Sequence, residues 1–169
     1  MKTTTYIIIA LIAATATFCV QPPDYPEAPE LEYIGFNKLT ISQGGGVGQS
    51  DTLVLRLGFT DGDGNLGFED ATFDVFIMDS RDSSEEVRKL PVIPEQGVGN
   101  GISGEIRLRF PNEPGNLCCI FPDFPNQVPC TPAPPELATD SFYYEVFIED
   151  RAGNRSNIVE TETVTLLCR

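Results

Sequence analysis

Residues 52–59 read Thr-Leu-Val-Leu-Arg-Leu-Gly-Phe, with Leu53, Leu55, Leu57 and Phe59 alternating with Thr52, Val54, Arg56 and Gly58. A period of two sends one set of side chains to each face of a pleated strand, so this segment fits a strand with one buried side and little else. The same rhythm returns in Ile106, Leu108 and Phe110 against Glu105, Arg107 and Arg109. It returns again in Phe142, Tyr144, Val146 and Ile148 against Tyr143, Glu145, Phe147 and Glu149. Weaker strands are predicted over 33–41, 71–79, 87–93 and 157–167, the first with a parity switch between Phe36 and Leu39 that predicts a bulge. No window carries a helical period. About seven strands separated by Gly, Pro, Asp and Asn turns predict an all-β chain folded as a two-sheet sandwich.

The N-terminus carries a different signal. Met1-Lys2 precedes an uncharged stretch from Thr3 to Phe18 centred on residues 7–14, which is the layout of a secretory signal peptide. A retained span would need roughly 20 apolar residues, whereas Thr15 and Thr17 dilute this run and Pro22-Pro23 closes it. Ala14-Thr15-Ala16 fits an ordinary signal-peptidase site. Ala16-Thr17-Phe18-Cys19 resembles a bacterial lipobox, in which the cysteine becomes the lipidated first residue; Phe18 departs from that pattern, where a small residue is usual. Cysteine parity favours the second reading. Of Cys19, Cys118, Cys119, Cys130 and Cys168, assigning Cys19 to lipid leaves four that can pair. The expected organisation is a lipoprotein signal over 1–18, a Pro-rich acidic tether over 19–31 and a β-sandwich domain over 32–169. Such a tether is stiff and extended, at ~3.1 Å per residue.

Composition narrows the function. With 11 Lys+Arg against 25 Asp+Glu, the formal net charge is -14. That balance disfavours nucleic-acid phosphates and anionic headgroups, so the expected membrane contact is the lipid alone. The chain has no histidine, which removes the Ser-His-Asp and Cys-His nucleophile systems and any histidine-bound zinc.

Residues 144–157, Tyr-Glu-Val-Phe-Ile-Glu-Asp-Arg-Ala-Gly-Asn-Arg-Ser-Asn, resemble the sixth strand and following turn of fibronectin type III and other immunoglobulin-like domains. Those domains often read Tyr-x-Val-x-x-x-Asp-x-Ala-Gly-Asn-x-Ser. Residues 59–67, Phe-Thr-Asp-Gly-Asp-Gly-Asn-Leu-Gly, are similar to a segment common in bacterial envelope lipoproteins with such folds. The likeness covers these two stretches, lacks the tryptophan and inter-sheet disulfide of antibody domains, and implies a fold and a location rather than a reaction.

Asp61, Asp63 and Asn65 put oxygen ligands at alternate positions, the opening rhythm of many calcium loops, but Leu66 and Thr72 stand where an EF-hand needs Gly and Glu. In an immunoglobulin-like sandwich the loop after residue 149 lies at the same end, which implies that Asp150 and Asn154 join them. Two readings of this cluster stand: a Ca²⁺ site, or a glycine-rich Asx turn whose charge Arg151 or Arg155 offsets. In the calcium reading, Glu30 or Glu32 could complete the shell, and the cation would fix the angle between tether and domain. Cys118, Cys119, Cys130 and Cys168 fall at the opposite end. A bond between adjacent cysteines would be strained, so Cys118 and Cys119 are each expected to pair with Cys130 or Cys168, in either combination. The nearby Ile120, Phe121, Phe124 and Val128 are expected to form a lid on the core, against a displayed contact surface. The GxGxxG string at 99–104 leads into a strand rather than a helix and is set aside, as is the Gly-rich 43–48 run, which lacks a phosphate loop's lysine.

The expectation is therefore a non-catalytic, envelope-anchored lipoprotein, an interaction or accessory subunit with a protein partner in an outer-membrane or cell-surface assembly. The alternative is a calcium-dependent carbohydrate-binding or adhesin-type domain. An enzyme ranks third, because paired carboxylates such as Asp61 and Asp63 would need a substrate cleft to act as a glycosidase acid and base.

Overall fold

The computed structural model describes residues 24–44, 51–94, 101–113, 115–121, 123 and 128–168. Cys19, the signal segment, and Phe124 of the expected lid lie outside these residues, as do most of the 43–48 run and the first two residues of the 99–104 string. The described chain is all-β: β1 (Glu30–Phe36), β2 (Thr40–Ser42), β3 (Thr52–Asp61), β4 (Val75–Asp79), β5 (Glu85–Arg88), β6 (Ile102–Pro111), β7 (Thr139–Phe142), β8 (Tyr144–Ile148), β9 (Val159–Glu160) and β10 (Val164–Leu167). One 3₁₀ turn, Pro135–Leu137, precedes β7.

The strands form three sheets, in the orders β1-β3-β6, β2-β10-β7 and β5-β4-β8-β9. Every pairing is antiparallel except β2 with β10. The inward set of β3, Leu53, Leu55 and Leu57, is wholly buried. These residues sit in register with Phe110, Leu108 and Ile106 of β6. Val75 and Ile77 of β4, Val146 and Ile148 of β8, and Val164 and Leu166 of β10 join the same hydrophobic cluster. Each such side chain contributes roughly 1.5–3 kcal/mol by leaving water.

Three expected strands are broken by a change of sheet. The 33–41 segment becomes β1 and β2. Its bulge lies earlier than expected, with the register shifting between Tyr33 and Gly35, and Gly35 takes φ 145 there. The parity switch before Leu39 is instead the crossing between sheets. Asn37 carries the chain across it: its backbone N–H donates to the Val54 carbonyl, and its side chain accepts from Val54 N at 2.8 Å and donates to Thr52 O at 3.1 Å. The 142–149 strand divides at Tyr143, which pairs with Ser80 through both backbone groups. The 157–167 strand divides at residues 161–163, where Thr161 Oγ1 accepts from Tyr144 N at 2.9 Å. Pairing also starts later than expected at Val75 and stops earlier at Arg88.

Phe147 points away from the core yet is 8% exposed. Its ring stacks on Phe76 at 4.6 Å, and the Arg155 guanidinium lies 3.4 Å from its centroid.

Candidate functional site

Asp61 ends β3 on the inward parity, so the strand that buries three leucines also buries this carboxyl; it is 0% exposed. The chain then turns through Gly62, Asp63 and Gly64, the last at φ 69. Asn65 closes the turn, its backbone N–H donating to Asp61 Oδ2 at 2.9 Å and its Nδ2 to Asp63 Oδ2 at 2.6 Å. Asp150 follows β8 by two residues and is 1% exposed. Asn154 donates to both of its oxygens, from the backbone N at 2.7 Å and from Nδ2 at 2.8 Å. The two loops are tied together by Arg151, whose N–H donates to Asn65 O and whose Nη1 donates to the carbonyls of Leu66 and Gly67.

Asp61, Asp63 and Asp150 thus offer carboxylate oxygens that all lie within 4.8 Å of one another. Asp61 Oδ1 and Asn65 Oδ1 are shielded from solvent without a hydrogen-bond partner. Burial, with the charges of Asp63 and Asp150 added, pushes the Asp61 carboxyl up to about 6. Of the residues expected here, three converge as carboxylates and Asn65 lies against them. Asn154 spends its donors on holding Asp150 in place. Arg155 is engaged over Phe147. Glu30 and Glu32 are exposed on β1 and do not belong to the gathered group.

The N-terminal arm meets this loop elsewhere. Gly62 N donates to Pro26 O at 2.7 Å, and a Cβ on Gly62 would overlap the carbonyl oxygens of Tyr25 and Pro26. A Cβ on Gly101 would come within 2.7 Å of the Tyr25 ring and 3.1 Å of Asp61 O. From Tyr25 onward, the last residues of the span expected as a tether pack on the domain, and Glu30 and Leu31 belong to β1.

At the other end, Cys118 is bonded to Cys130 and Cys119 to Cys168, so the adjacent pair is anchored in two directions. Leu117 and Cys119 are buried, and Phe121 packs against the core as a lid would, while Val128 is 73% exposed. Beside them lies a cleft of about 410 Å³ walled by Ile77, Arg81, Cys118, Phe121 and Tyr144.

Arg81 is the feature that local sequence did not reveal. Its guanidinium pairs with Asp79 at 2.6 Å and Asp140 at 2.8 Å, donates to Cys118 O at 2.9 Å and lies 4.7 Å from the Phe142 ring centroid. Asp79-Ser80-Arg81-Asp82 reads as a polar turn that belongs in water. Only the long-range return of residues 118 and 140 encloses it.

Comparison with protein-family models, curated proteins and solved structures finds no match.

Proposed function

We propose that this chain is a non-catalytic module of the bacterial cell envelope, lipidated at Cys19 and acting as an interaction or accessory subunit of an outer-membrane or cell-surface assembly. The observation that carries the reading is the pair of disulfides, which fits an oxidising compartment outside the cytoplasm. An immunoglobulin-like fold is part of it. The orders β1-β3-β6 and β5-β4-β8-β9, sharing one core and with β2 running parallel to β10, support a sandwich of that kind. Native protein extracted from membranes should carry a diacyl or triacyl group on Cys19 by mass spectrometry and should co-purify with an outer-membrane protein. An unmodified N-terminus would overturn the anchoring.

A second reading, a calcium-dependent carbohydrate-binding or adhesin-type domain, is favoured by the convergence of Asp61, Asp63 and Asp150. Binding to a glycan array in Ca²⁺ that disappears in EDTA would select it. Equal, negligible binding in both would remove it.

A further inference from the structure

We propose that Asp61, Asp63 and Asp150 bind one Ca²⁺, and that the cation latches the N-terminal arm at Tyr25 and Pro26 onto the domain. The cation is shared with the calcium-dependent reading above, on which this half rests; the latch is a separate, internal consequence that needs no sugar and no partner.

Three carboxylates within 4.8 Å concentrate negative charge at one point. The observation that asks for a ligand is separate from that clustering. Asp61 is fully enclosed, its Oδ2 is held by Asn65 N, and its Oδ1 receives nothing. A buried anionic oxygen without a donor is costly, and such a group calls for a proton, a water or a cation. Asn65 Oδ1, likewise shielded and without a donor, is a second acceptor oxygen in the same turn. Carboxylate and amide oxygens, with no histidine in the chain and all four described cysteines in disulfides, form a donor set for a hard cation. Ca²⁺ takes six to eight oxygens in flexible geometry. The exposed Asp63 leaves one side of the group open to the waters that would fill the shell.

The latch follows from the position of Gly62, which lies between two of the ligands and gives its N–H to Pro26 O. Its missing side chain is the space that the Tyr25 and Pro26 carbonyls occupy. A cation held by residues 61 and 63 fixes the backbone between them, and that backbone is where the arm lands. Cation binding and arm docking are therefore linked, each favouring the other by the same factor.

The test uses the full-length protein in detergent, stripped with EDTA and titrated with CaCl₂ by calorimetry, with amide exchange read at Gly62. Ca²⁺ should bind, raise the melting midpoint and slow Gly62 exchange, by up to about a hundredfold at a hundredfold excess over Kd. Asp63→Asn, at an exposed position that folding tolerates, should abolish all three effects. Gly62→Ala keeps every ligand but blocks the arm, so it should still bind Ca²⁺, more weakly, with no change in exchange along 24–29. Absence of binding heat and of a midpoint shift in the wild type would overturn the site. Calcium binding with unchanged Gly62 exchange would overturn the latch while leaving the calcium-dependent reading to its glycan test.

Discussion

Arg81 holds a larger share of this fold than its place in a polar turn implies. Its side chain is 11% exposed, and its partners Asp79 and Asp140 are 12% and 17% exposed. Those two carboxylates, acting against the cost of burial, raise the guanidinium above its usual value, so it stays charged at any working pH. Two anions facing one cation leave net negative charge if the cation is removed. Arg81→Met should therefore cost about 3–5 kcal/mol in denaturant unfolding, the usual penalty for orphaning a buried charge. Removing charge from both carboxylates as well, in Asp79→Asn/Asp140→Asn/Arg81→Met, should recover much of that loss. A single-variant cost below 1 kcal/mol, the range of exposed ion pairs, would show that the site is effectively solvated. None of this was legible locally, because what buries Arg81 arrives from residues 37 and 59 positions further along the chain. Asp61 was legible, since the Asp-x-Asp-x-Asn spacing and the inward parity of β3 both lie within one short stretch.

At the scale of the element, β3 and β6 show how a strand pair fills its own gaps. Gly104 of β6 pairs with Phe59 of β3 and is itself solvent-exposed, and the Phe59 ring lies against it, 2.9 Å from where a Cβ would stand. The aromatic thus takes the volume that the glycine leaves. Gly104→Ala should push the ring of Phe59, a core residue, off its seat and cost about 1 kcal/mol, the low end for small-to-large changes, because Gly104 is exposed and the ring can give toward solvent. Gly104→Ala/Phe59→Leu should lose less than the sum of its two single changes, because the two residues share one space. Additive losses would mean that the ring does not fill the gap. Alternation identified residues 52–59 of β3 and 105–110 of β6, whose registers never leave one sheet, but β3 runs on to Asp61 and β6 already starts at Ile102, inside the 99–104 string read as a loop. It could not divide 142–149, where Phe142, Tyr144, Val146 and Ile148 keep one parity through Tyr143. The change of sheet there is set by which strand lies alongside, β10 or β4, and that choice is absent from the segment's own residues.

Across the whole molecule, the two disulfides are unequal. Cys119–Cys168 closes a separation of 49 residues and Cys118–Cys130 one of 12. On chain-entropy grounds the longer loop restricts the unfolded state more, by about 1 kcal/mol. Cys119→Ala/Cys168→Ala should therefore lower stability more than Cys118→Ala/Cys130→Ala, as read by chemical denaturation of each double variant. The reverse order would place the main effect in native packing around Cys130, whose φ of 61 lies in the left-handed region. The course of β1 bears on how the molecule would carry load. From the Pro26 contact the chain enters β1 at Glu30, opposite Thr60, and runs antiparallel along β3 to Phe36, opposite Leu55. A pull on the arm acts along that strand, so the β1–β3 bonds are strained together in shear rather than peeled one by one. Tension at the other terminus is stopped at Cys168 by a covalent bond to Cys119 before it reaches β10. One end of the chain would thus resist force through a ladder acting in parallel, and the other through a single cross-link.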